Sequence, residues 1–89
     1  MLEAKLRDIR KKNRSLRNAG LVTGTLKREN GLIIPISMIS NKLETFVKRN
    51  GLGTEVIIEF EKEVIKTKID RVQRELLIHN IINIDLIEL

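Results

Sequence analysis

A catalytic centre needs a positioned base, a nucleophile or a metal cluster, and few residues of this chain can supply one. His79 is the only histidine and cysteine is absent. A thiolate metal site and a disulfide scaffold are therefore excluded, and histidines cannot be gathered into a cluster. His79, between Ile78 and Asn80, reads as a turn or strand-entry residue. Glu55, Glu59, Glu61 and Glu63 stand near Lys62, Lys66 and Lys68, a spacing that cross-strand charge pairing on a solvated hairpin explains. Gly51-Leu52-Gly53 is too short for a phosphate loop and lacks its strand–turn–helix setting. The expectation is a protein without catalysis, cofactor, metal or small-molecule substrate.

Binding chemistry is better represented. Residues 1–30 carry nine basic groups (Lys5, Arg7, Arg10, Lys11, Lys12, Arg14, Arg17, Lys27 and Arg28) against Glu3, Asp8 and Glu29, whereas the remaining residues are close to neutral. The net charge of +5 thus originates in the first third of the chain. The natural partner of such a block is a polyanion, nucleic acid before an anionic membrane. Arg10–Arg17 offers only Leu16 to a bilayer, too little to anchor a helix. The basic segment also lacks aromatics, since Phe46 and Phe60 are the only two and both read as core. Stacking of unpaired bases therefore has no platform, and a duplex gripped through phosphates and groove shape fits better. In A-form RNA the accessible edge is the wide minor groove, which short polar strand residues such as Gln73, Asn83 and Asp85 could read. A carboxylate there accepts from a guanine amino group or a 2′-hydroxyl, although Asp85 could instead pair with Arg74 or Lys68.

Periodicity indicates the elements that must position these groups. Leu2, Ala4 and Leu6 alternate with charged residues, as in a half-buried strand. Ile9–Arg17 loses that alternation and reads as a loop entering a short helix that stops at Gly20. The basic stretch Ile9–Asn18 is expected to be mobile when free and to order on binding. Leu21–Leu26 is a strand in which Gly24 marks a bulge or a close backbone approach, and Leu32–Met38 is another, with Pro35 at an edge or an unpaired N–H. Leu43, Phe46 and Val47 share a helical face behind an Asn41/Glu44 capping box. Thr54–Phe60 and Val64–Asp70 form a hairpin turning at Glu61 and Lys62, and Ile82–Ile87 completes the set. The expected fold is mainly β with one or two short helices: a six-stranded antiparallel closed or nearly closed barrel, one RNA-binding domain over residues 1–89. No apolar run approaches the ~20 residues of a membrane span, and Glu3 and Asp8 interrupt any signal peptide, so a cytoplasmic location is expected.

Several segments, taken in order, resemble a known family. Leu2-Glu3-Ala4-Lys5-Leu6-Arg7 is similar to the opening strand of the bacterial large-subunit ribosomal protein family numbered twenty-five, which binds 5S ribosomal RNA. Arg14-Ser15-Leu16-Arg17 before Ala19-Gly20 resembles its R-x-L-R helix, Val22-Thr23-Gly24 its V-P-G and Pro35-Ile36-Ser37 its P-I-S. Arg71-Val72-Gln73-Arg74 resembles D-V-Q-R, and Asn83-Ile84-Asp85-Leu86 resembles H-V-D-F. The resemblance implies a six-stranded barrel packed on the RNA's internal loop E with strand residues in the minor groove. It implies that Arg7, Arg10, Arg14 and Arg17 hold flanking phosphates, and that Gln73, Asn83 and Asp85 meet bases and riboses. Lys11, Lys27 and Arg74 complete the expected RNA-binding set. A chain stopping at Leu89 implies the single-domain form.

Departures from the family pattern include Lys27 in place of an aromatic, Arg28 in place of glycine, Arg71 in place of aspartate and Asn83 in place of histidine. Lys27, Arg28 and Arg71 are expected to maintain phosphate affinity. The functional expectation is a large-subunit protein bound to 5S ribosomal RNA. The alternative is a diverged non-ribosomal paralogue, a regulatory or protein-interaction module with nonspecific RNA affinity.

Overall fold

Alternating apolar residues dictate most of the architecture. In a computed structural model describing all 89 residues, they form β1 (Leu2–Leu6), β2 (Leu21–Lys27), β3 (Ile33–Ile39), β4 (Glu55–Phe60), β5 (Glu63–Arg74) and β6 (Ile81–Glu88). Two helices interrupt them, α1 (Asn13–Asn18) and α2 (Ser40–Asn50). The strands close into a barrel in the order β1-β3-β2-β6-β5-β4, so no strand presents an unpaired edge. The six-stranded barrel with two short helices is the expected fold. Two of its seams, β1·β4 and β2·β6, are parallel. The short turns of the β2–β3 and β4–β5 hairpins fix those strands antiparallel, and closing the ring then brings two like-directed pairs together.

One residue makes the β2·β6 seam possible. Gly24 lies opposite Ile84, and a Cβ at Gly24 would fall on the backbone carbonyl of Ile84. The close approach expected at Gly24 is therefore present, and only glycine allows it. Pro35 sits just past the end of the β1 ladder, where its carbonyl accepts from Arg7 N at 3.0 Å. Its nitrogen faces the same way as that carbonyl, so the β2·β3 ladder loses no bond.

The interior is aliphatic. Leu26, Ile36, Val56, Ile58, Ile84 and Leu86 fill the barrel, Phe60 joins them, and α2 lays Leu43 and Val47 on the same core. Phe46 is only partly buried at its margin. The capping box expected at Asn41 and Glu44 does not form: α2 has no side-chain cap, and Glu44 Oε1 instead accepts from the backbone N–H of Ile81 at 2.6 Å. A carboxylate expected to serve its own helix thus pins the start of β6. β5 is also longer than expected, running on through Arg74 with register shifts near Arg71 and Arg74. That extension carries Arg71 and Gln73 alongside β6.

Candidate nucleic-acid interface

Because side chains alternate across a strand, burial of Val22, Leu26, Ile36, Ile84 and Leu86 fixes which of their neighbours point outward. Strand register then lines up those outward residues across the wall. Gln73 of β5 lies opposite Asn83 of β6, which lies opposite Thr23 of β2 and then Ser37 of β3. One step along, Arg71 lies opposite Asp85, then Thr25, then Pro35. The two rows form a polar patch of amides, hydroxyls, one carboxylate and the Arg71 guanidinium, with Pro35 at its margin.

The patch is internally hydrogen-bonded. Thr25 Oγ1 donates to Asp85 Oδ1 at 2.7 Å, and Asn83 Nδ2 approaches the same oxygen at 3.4 Å. The Thr23 hydroxyl lies 3.2 Å from the Ile82 carbonyl and 3.3 Å from Asn83 Oδ1. Thr23 and Asp85 between them orient the Asn83 amide, with its oxygen toward β2 and its nitrogen toward Asp85. Asp85 makes no ion pair: its partner is a threonine hydroxyl rather than Arg74 or Lys68. The second carboxylate oxygen of Asp85 and the exposed Gln73 amide make no hydrogen bond within the protein.

Cations stand around this patch. The helix α1 packs against β2, and its one buried residue, Leu16, lies outside the barrel core. Thr23 points away from the core yet is buried, as a residue beneath α1 would be. Within the basic stretch, Asn13–Asn18 form α1, seated through Leu16. Arg14 and Arg17 line a cleft of about 410 Å³ with Asn80, Ile81 and Ile82, at the start of β6 next to the polar rows. Lys27 is at the far end of β2, about 20 Å away across a seven-residue strand. Arg7 borders the patch beyond Pro35, and Lys11 is exposed in the connection to α1.

Three cations are otherwise engaged. Arg10 donates to Asp8 through Nε at 3.1 Å, and that bond holds the Asp8 carboxyl below the usual carboxylate range. Arg74 Nη1 donates to the His79 carbonyl at 2.8 Å, which places His79 in the turn expected of it. Arg28, expected to add to phosphate affinity, bridges Glu63 at 2.9 Å and Glu88 at 2.8 Å instead. It ties the β2–β3 turn to the start of β5 and the end of β6. Hydrogen bonds to Glu63 and Glu88 raise the Arg28 pKa, and Arg28 in turn lowers that of Glu88.

The family model described as the ribosomal L25p family matches residues 2–86. The chain belongs to the ribosomal L25p family. Membership places it among proteins of the large ribosomal subunit and points to a non-enzymatic role. No curated protein sequence matches the chain. No helix of this L25p-family chain is long and apolar enough to cross a membrane. Within the family member, Gln73, Asn83 and Asp85 lie together, and Arg7, Arg14, Arg17 and Lys27 surround them. Arg10 and Arg74 are held by local contacts. Thr25 belongs to the patch although the sequence did not single it out, and Arg71, expected to add phosphate affinity, lies opposite Asp85. The spacing of Thr23, Thr25 and Lys27 on one outward stripe was the available signal, but only the β2·β6 register shows what that stripe faces.

Proposed function

We propose that the polar patch binds the minor groove of a 5S ribosomal RNA helix while the surrounding cations hold the phosphates on either side. The observation that carries this reading is the register that joins Gln73, Asn83, Asp85 and Thr25 across three strands, with Arg14 and Arg17 at one end and Lys27 at the other. A minor groove presents base edges and 2′-hydroxyls, which match amides and a carboxylate. Asp85 accepts from a guanine amino group or a ribose hydroxyl, and its bond from Thr25 fixes the rotamer before RNA arrives. Gln73 and Asn83 both donate and accept. Arg14 and Arg17 grip one strand of the backbone, Lys27 the other, and Arg7 and Lys11 extend the grip along the edge. Arg10 joins only by leaving Asp8.

Family membership supports the ribosomal partner, and a polar patch without aromatics supports a duplex over a single strand. With five to seven phosphate contacts, the logarithm of the binding constant falls against that of salt with a slope of about −4 to −6. The test compares 5S ribosomal RNA with an unrelated duplex. Arg14→Ala weakens binding to both equally, whereas Gln73→Ala and Asn83→Ala reduce discrimination between them. Equal losses on both RNAs for every variant would refute the specific reading.

A further inference from the structure

The cleft at the start of β6 holds more chemistry than a phosphate grip requires. Arg14 and Arg17 stand one turn apart on α1 and so reach it side by side. Glu75, just past the end of β5, lines the same cleft. The Glu75 backbone is fixed, because its N–H donates to the Asn80 carbonyl and its carbonyl accepts from the His79 N–H, both at 2.9 Å. Its carboxylate is half-buried, yet it makes no hydrogen bond within the protein and no ion pair with either arginine. Leu21, Ile81 and Ile82 supply apolar lining between the charges.

These groups select their occupant. A bare phosphate satisfies the arginines and is repelled by Glu75, so the ligand carries an anion at one end and hydrogen-bond donors at the other. The apolar lining suits a flat, weakly solvated body between them. The cleft's volume of about 410 Å³ lies within the ~300–1,000 Å³ of small-ligand pockets. Position adds the last constraint: Ile82 of the cleft is followed directly by Asn83 of the polar row, so a ligand on the patch continues into the cleft. A nucleotide meets all of these conditions. Guanine alone among the four bases offers two adjacent donors, N1–H and the 2-amino group, to the two oxygens of a carboxylate. Adenine and cytosine set an acceptor beside their amino group, and uracil flanks its one N–H with carbonyls.

We propose that this cleft binds a guanosine nucleotide extruded from the RNA on the patch, its phosphate held by Arg14 and Arg17 and its base read by Glu75. The proposal deepens the RNA reading of the patch and rests on it. The test titrates the chain with RNA duplexes of equal length that carry one unpaired guanosine, inosine or adenosine, or none. The guanosine duplex should bind at least about tenfold tighter than the adenosine or fully paired duplex, as a bidentate base contact does, with inosine between because it lacks the 2-amino group. Glu75→Gln, which replaces one acceptor with a donor, should bring guanosine within about twofold of adenosine and leave the fully paired duplex unchanged. Equal binding of the guanosine and adenosine duplexes by the wild-type chain overturns the proposal, as does a guanosine preference that survives Glu75→Gln. Free guanosine monophosphate, followed by NMR at the Glu75 and Ile82 amides, distinguishes the source. Saturation by the free nucleotide with no preference among the duplexes overturns an extruded base in favour of a soluble ligand. Failure of the patch is read separately: equal affinity for 5S RNA and a scrambled duplex refutes the patch and leaves the comparison of unpaired guanosine with adenosine standing.

Discussion

The two sides of the barrel wall have the same strand geometry and opposite chemical organisation. On the β5–β6–β2 side, Thr23, Asn83, Asp85 and Thr25 are tied into one hydrogen-bonded lattice, so their side chains are held in place without a ligand. On the β1–β4 side, the outward residues are Glu3, Lys5, Glu55, Ile57 and Glu59, with Lys66 and Lys68 on the adjoining stretch of β5. There the only ion pair is a 3.8 Å contact between exposed Lys5 and Glu3, and the register sets Glu3 opposite Glu59. Charges arranged so loosely contribute little to stability and orient nothing. The difference teaches that strand register and side-chain hydrogen bonds, more than charge density, decide which surface side chains are held in place.

The most severe way to break the contrast is at Gly24. Gly24→Val would force the β2 and β6 backbones apart, cost roughly 3 kcal/mol or more in urea unfolding, and abolish selective RNA binding. Next, Asn83→Ala or Gln73→Ala should reduce discrimination between 5S and unrelated duplex RNA by roughly 1–3 kcal/mol in titrations. Lys66→Ala on the opposite side should leave discrimination unchanged. A smaller effect of opposite sign is expected at the β4–β5 turn, where Glu61 and Lys62 both adopt positive φ, 49° and 66°. This is the geometry of Asn-Gly turns, so the Glu61→Asn, Lys62→Gly double variant should raise stability by about 1 kcal/mol without touching RNA affinity.

The smallest expected effect is a pH dependence. Glu88 has a lowered pKa because Arg28, then the Glu29 N–H, hydrogen-bond its carboxylate. A depressed carboxylate stabilises the fold above its ordinary value of 4.5 and loses that contribution as pH falls through its folded value. Thermal melts from pH 6 downward should therefore show declining stability below about 4.5, and Arg28→Ala should flatten that decline.

Most of the fold was legible because alternation survives wherever one side of a strand is buried. Val56, Ile58 and Phe60, or Ile84 and Leu86, announce both strand and core. The parallel seams were not legible, since direction is set by ring closure and by Gly24 against Ile84, contacts distant in sequence. Gln73, Asn83 and Asp85 could be singled out as short polar residues, yet their lattice with Thr23 and Thr25 depends on register. Charge alone misled at Arg28: its type suggested phosphate binding, whereas its place opposite Glu63 and Glu88 makes it a structural tie. The Asn41/Glu44 pattern misled in a similar way, because Glu44 is near enough to Ile81 to serve another element.

The central claim, that the ordered polar patch reads an RNA and the cations around it only grip, is tested most directly by titrating the wild-type chain against 5S ribosomal RNA and a scrambled duplex of equal length at two salt concentrations. Raising the salt should weaken both complexes with the same slope while the preference for 5S RNA persists, because base-edge contacts release no counterions. Equal affinity for the two RNAs at both salt concentrations would contradict the claim.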